Sequence, residues 1–205
     1  MKKPETDKID FNKLYKDLYT ATPKPKEVTA AKAAFLFLEG TGEPGGAAYC
    51  DAIQQVCSLA YTMKFMLKKS GKLDFAVSRL ECLWLTEQIE QTRKSQWRWQ
   101  LLMRIPDAVT AGDLKQASKE IFERRQLDVT AVQRRTWKEG RCVQMMHIGP
   151  YDEVGRSYRQ LDEYARERGL VASCPAHEIY ISDPRRVAPA KLKTIVRLPV
   201  SARTG

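Results

Sequence analysis

One succession of elements occurs twice in this chain, and that repetition constrains the fold more than any single motif. FLFLEGTGEP (residues 35–44) and VQMMHIGPYD (residues 143–152) are both apolar strands running into a Gly/Pro break. Each break leads into an amphipathic helix. In the first, Tyr49, Ile53, Val56, Ala60, Met63 and Leu67 recur at steps of three and four; in the second, Tyr151, Val154, Tyr158, Leu161 and Ala165 do the same. Two strand-like segments follow each helix. A βαββ unit makes a small antiparallel sheet with one helix on one face, and two such units pair into a larger sheet. The expected fold is therefore α+β: two βαββ modules in pseudo-twofold arrangement, forming an antiparallel sheet with helices on one face and a ligand cleft on the other.

The rest of the chain fits around that repeat. Residues 1–30 read as an amino-terminal arm with a short helix, FNKLYKDLY, closed by the turn-rich TPKPKE. The first module spans residues 31–109, a connecting surface helix capped by Thr110 spans 110–128, and the second module spans 129–200. All of it forms a single domain over residues 1–205. In the first module Leu73, Phe75, Val77 and Leu80, Cys82, Trp84 alternate in different registers, which predicts a β-bulge near Ser78 and Arg79. In WRWQLLMRIPD, Trp97, Trp99, Leu101, Met103 and Ile105 share one face. In the second module two strands joined at Lys138, Glu139 and Gly140 read as a hairpin.

Composition excludes several classes. The 205 residues are 43% hydrophobic, enough for a core. No apolar run approaches the ~20 residues of a membrane span and no signal-peptide core follows the lysine-rich start, so the expected location is the cytoplasm, without membrane contact. The five cysteines are odd in number and scattered among apolar neighbours, and only His147 and His177 could assist them, so neither a disulfide frame nor a metal site is expected. No cofactor is expected either. The net charge of +10 is carried in part by Arg185, Arg186, Lys191, Lys193, Arg197 and Arg203, with no helix-turn-helix, zinc-finger or RNP-type motif beside them. That pattern reads as a solvated basic surface and argues against direct nucleic-acid binding. His147 between Met146 and Ile148 reads as structural, rather than as half of a thiol–imidazole pair with Cys142 or Cys174.

HEIYIS (residues 177–182) alternates with period two yet carries a carboxylate, Glu178. Ile179 and Ile181 take one face, the better candidate for the helix side; Glu178 and Tyr180 take the other. Glu178 is then a paired buried charge, an ordinary solvent-facing residue, or a functional group in an aromatic cleft.

The ordered set KDLY, FLFLEGTGEP, SLAYTMKF, LECLWL, WRWQLLMRIPD, MHIGPYDEV, HEIYISDPRR and KLKTIVRLPV covers nearly the whole chain. In that set the chain resembles the DNA gyrase inhibitor-like (GyrI-like) small-molecule-binding family, and within it the stand-alone branch. The resemblance implies a glutamate on a central strand projecting into an aromatic cleft, matched by Glu178. It also implies a flat aromatic or cationic small-molecule ligand held by Tyr61, Trp84, Trp97, Trp99, Glu178 and Tyr180. Part of the stand-alone branch opens the cyclopropane of DNA-alkylating compounds. Carried over, that chemistry makes Glu178 the base for water and Tyr61, or else Tyr180, the donor to the developing oxyanion. The alternative is a non-catalytic sensor or sequestering protein. The branch often has two adjacent tryptophans where this chain has Trp84 and Leu85, and asparagine where it has Gly45.

Overall fold

The computed structural model describes residues 8–203; the start of the expected arm, residues 1–7, lies outside them. The first module runs β2 (Ala33–Thr41), α3 (Ala47–Lys69), β3 (Leu80–Trp84) and β4 (Arg98–Arg104). The second runs β6 (Gly140–Ile148), α5 (Gly155–Glu167), β8 (Ala176–Tyr180) and β9 (Lys193–Ala202). Around them lie the short helices α1 (Phe11–Leu14) and α2 (Lys16–Tyr19), strands β1 (Lys26–Ala30), β5 (Gln133–Trp137) and β7 (Leu170–Ala172), and helix α4 (Ala111–Arg125). Among the described residues nine strands form one sheet in the order β1-β6-β9-β8-β3-β4-β2-β5, with β7 on β9. All pairs within it are antiparallel.

The two modules meet at the β3–β8 pair, where Cys82 faces Glu178. Both strand-to-helix breaks use glycine in a conformation that other residues rarely adopt: φ is 136° at Gly42 and 141° at Gly149. α3 packs on β2 and β4, α5 packs on β6 and β9, and α4 packs on α3. Thr110 and Asp113 form the reciprocal capping box that starts α4.

Three local expectations are corrected. Residues 138–140 make no hairpin turn: β5 pairs with β2 while β6 pairs with β1. Pairs Ala33↔Trp137 and Ala30↔Gly140 continue one antiparallel register through a shared corner, where Gly140 supplies φ 84°. Two long bent strands thus lie against each other along their length, and the sheet curls back on itself. Lys26–Ala30, assigned to the arm, belongs to this curl. The second correction concerns residues 73–79, where there is no bulged strand. Phe75 makes an isolated bridge to Ile9, and regular pairing begins only at Leu80.

The third correction concerns which face is open. The concave face is filled, because α1 and α2 lie across it and pack Phe11 and Tyr19 against Met146, Ile179 and Ile195. Beside them sit Phe35, Phe37, Leu83 and Leu102. Among the described residues a cavity of about 20 Å³ lies among Glu81, Arg104, Glu139, His177 and Arg197, room for about one water. Ile179 therefore faces the arm and not the long helices. Glu178, on the other side of β8, faces α3 and α5. The strap is held down by polar contacts: Tyr19 donates to Glu81 (3.0 Å), and Arg197 and Gln144 donate to the carbonyls of Leu18 and Asp17. Arg197, expected on a solvated basic surface, is buried here.

Candidate functional site

Strand alternation builds the site. Register pairs run across both modules through Leu38, Leu101, Cys82, Glu178, Val196 and Met145, all on the helix-covered face. Glu178 is the one charged residue in that row. It is 4% exposed, and among the described residues no lysine or arginine pairs with it. Tyr158, from the second turn of α5, donates to its Oε1 at 3.5 Å. Burial raises the Glu178 pKa, while Trp84, Tyr180, Tyr158 and the charge of His177 pull it back.

Aromatic rings crowd the first module's side of the carboxylate. Tyr49, near the start of α3, lies parallel to Trp84 with ring centroids 6.1 Å apart, and meets Trp99 edge-on at 5.0 Å. Trp97 meets Trp84 edge-on at 5.6 Å. The hydroxyls of Tyr49 and Tyr180 share a hydrogen bond of 3.1 Å, and Tyr151 packs edge-on against Tyr180. The Trp97 and Trp99 indoles donate to backbone carbonyls of Thr92 and Gly42. The buried Trp84 N–H acts on the Glu178 carboxylate, lowering its pKa, but is not aligned for a hydrogen bond of good geometry. Trp99 lies so close over Gly40 that a Cβ there would overlap its ring. Burial and the Glu178 charge together push the Tyr158, Tyr180 and Cys82 pKa values well up, so all three stay neutral around the carboxylate.

Of the residues singled out from the sequence, Glu178, Trp84 and Tyr180 come together, with Trp97 and Trp99 behind Trp84. Tyr61 does not join them. It is 50% exposed on the outer side of α3, and the phenol at the carboxylate is Tyr158. Tyr49 and Tyr158 were legible only as members of their helices' apolar stripes. The signal that could have found them is the repeat itself, since each is a tyrosine early in the helix that follows one of the two glycine breaks.

The other histidine is structural. His147 is bonded on both ring nitrogens, to Ser157 and to the Pro150 carbonyl, each at 3.0 Å. Cys174 is exposed and Cys142 buried. Among the described residues no His/Cys/Asp/Glu cluster could hold a metal ion, and no helix is long and apolar enough to cross a membrane.

Residues 23–201 match the family described as GyrI-like small molecule binding domain. The chain belongs to that family. Among solved structures it is 35% identical to an uncharacterized conserved protein from Listeria innocua, with a TM-score of 0.90 over 95% of this chain and 100% of that one. It is also 35% identical to a hydrolase from Listeria innocua, with a TM-score of 0.87 and the same coverage. The GyrI-like fold extends to the EcmrR C-terminal domain, at 12% identity and a TM-score of 0.55 over 87% of this chain and 96% of that one. No curated protein matches the chain.

Proposed function

We propose that this GyrI-like protein binds a planar aromatic, cationic small molecule between α3 and α5, opening a groove there, with Glu178 as its counter-charge. The observation that carries this reading is a carboxylate buried among rings and hydroxyls with, among the described residues, no basic side chain in salt-bridge contact with it. Leaving a charge so placed costs several kcal/mol, which an incoming cation would recover. The Tyr49 and Trp84 rings beside the carboxylate supply aromatic faces for such a cation.

A hydrolytic step at the same site is favoured by the Listeria relative described as a hydrolase. The fitting substrate class is the cyclopropane-bearing DNA alkylators, so the role would be detoxification. Glu178, made more basic by burial, takes a proton from water as the water oxygen bonds to the strained ring carbon. The ring C–C bond breaks and its electron pair passes to the conjugated carbonyl oxygen. Tyr158, rather than the exposed Tyr61, stands where a phenol could donate to that oxygen. Without this step the groove is a sensor or a sequestering pocket.

Ethidium, a fluorescent planar cation, tests the binding reading. Purified protein should raise its fluorescence saturably, and Glu178→Gln should weaken binding about tenfold or more, the scale of one lost charge contact. Equal affinity in the two proteins refutes the role of Glu178. Incubation with a cyclopropane-bearing alkylator, followed by mass spectrometry, separates the two modes: a product heavier by one water marks hydrolysis, and intact compound marks sequestration.

A further inference from the structure

Behind Glu178, on the concave side of the same strand, lies a second set of charges that the ligand reading does not use. His177 is fully buried between two carboxylates, with Nδ1 3.0 Å from Glu139 and Nε2 3.0 Å from Glu81. Glu139 also takes a 2.8 Å bond from Arg197, whose Nε donates to Gln144. Each contact comes from a different element: Glu81 from β3, Glu139 from the β5–β6 corner, Arg197 from β9. Trp137 of β5 closes the ring edge. Arg104 of β4 lies over the Tyr15 ring, within reach of the same small cavity.

We propose that His177 is a positioning residue for Glu178: its imidazolium, fixed behind β8 by Glu81 and Glu139, holds the groove carboxylate in its ionised form. The inference rests on the reading of Glu178 as the ligand's counter-charge. The geometry behind it is direct. His177 and Glu178 are consecutive on one strand and point to opposite faces, so the imidazolium charge stands across the backbone from the carboxylate. Every titratable group facing Glu178 from within the groove is an acid kept neutral by burial: Cys82 from β3, Tyr49 from α3, Tyr151 before α5, Tyr158 from α5 and Tyr180 from β8. Trp84, Tyr180 and Tyr158 favour the anion more strongly than His177 does, but they stand on the side a ligand would occupy, whereas the imidazolium acts from behind the strand. Burial alone would lower the His177 pKa, and the two carboxylates override it and hold it up at about 9. The ring therefore stays charged throughout the range in which a carboxylate titrates. Glu139 is held down to about 2 by His177 and Arg197 despite its own burial, so the arrangement locks itself.

The test needs no ligand. In protein carrying ¹³Cδ-glutamate, the Glu178 signal is identified by its loss in Glu178→Gln and titrated against pH. His177→Gln should move its midpoint upward, with about a tenfold rise in proton affinity, the order expected for one unit charge acting through a strand. Glu81→Gln keeps an acceptor for Tyr19 and leaves His177 charged by Glu139, and should move the midpoint down. The double variant should fall between the two. A purely structural role would move both single variants in the same direction, and that result, or a fixed midpoint, overturns the proposal. If His177→Gln does not fold, Glu81→Gln decides alone: its midpoint must fall. Ethidium binding at each pH is then a second readout, and in His177→Gln its loss on acidification should begin at higher pH. Absent ethidium binding together with the opposite NMR shifts would sink the groove reading and leave the coupling of His177 to Glu178 standing.

Discussion

The two faces of β8 hold their carboxylates in opposite ways. Behind the strand, two cations face two carboxylates: His177 meets both Glu81 and Glu139, Arg197 pairs with Glu139, and Tyr19 donates to Glu81. In front, Glu178 is also buried, and the side chains that stabilise it there, Trp84, Tyr180 and Tyr158, are all neutral. A buried charge with its counter-charge supplied is a part of the framework. One without it is a cost the fold sustains, and such costs concentrate where a ligand completes the arrangement.

Breaking the compensated face should have the largest effect. Arg197→Ala leaves Glu139 with one partner and removes the donor to the Leu18 carbonyl that pins the arm. The expected loss in urea unfolding is about 3–5 kcal/mol. A loss below about 1 kcal/mol would mean the concave cluster is not the fastening described here.

Next in size is a pH effect on the same face. The folded His177 pKa lies above its unfolded value of about 6.5, so its contribution is complete below pH 6.5 and is lost as pH rises towards 9. Stability should thus fall by about 1.4 kcal/mol per pH unit across pH 7–8.5, a drop in Tm of about 3–5 °C per unit. The buried thiols of Cys82 and Cys142 contribute only above that window, because their pKa values are raised from an ordinary value near 9. Calorimetry on wild type and His177→Gln checks this: the slope should flatten in the variant, and an equal slope would move its origin elsewhere.

On the uncompensated face the sign should reverse. Glu178→Gln removes an unpaired buried charge while keeping its shape and an acceptor for Tyr158. It should leave stability at neutral pH unchanged or raise it by about 1 kcal/mol, even as ethidium binding is lost. Strong destabilisation in the same urea assay would place Glu178 among the framework charges and erase the contrast between the faces.

Much of this was readable in the sequence, and what escaped has a physical reason. The repeat and the strand and helix periods fixed the two modules, and the alternation in HEIY put His177 and Glu178 on opposite faces. What periodicity does not carry is which face the chain's own ends will cover. Ile179 and Ile181 suit a helix-facing side, and they are buried, but by Phe11 and Tyr19 of the arm. The corner at Lys138 and Glu139 was equally opaque, because a glycine beside two charged residues reads the same in a hairpin and in a bend shared by two long strands. Glu139 lost its significance with that reading, since a carboxylate in a turn is expected in solvent and this one is buried on Arg197 and His177. Tyr61 failed for a related reason. A residue at the margin of a helical stripe faces the site or the solvent according to a rotation of a few tens of degrees, and local spacing does not fix that rotation.

The smallest expected effect separates the two tyrosines and so sharpens the site's outline. Tyr158→Phe removes the hydroxyl that meets Glu178 and leaves the ring against the second module's core. A bond of 3.5 Å to a carboxylate is long, so the stability change should be within about 1 kcal/mol. With one donor fewer the carboxylate is a better proton acceptor, and the pH below which ethidium is released should rise. Tyr61→Phe, on an exposed phenol, should change neither stability beyond about 0.5 kcal/mol nor the pH profile. If Tyr61→Phe alters the profile and Tyr158→Phe does not, α3 must turn or shift when ligand binds, and the groove drawn from these contacts is the closed form of a different one.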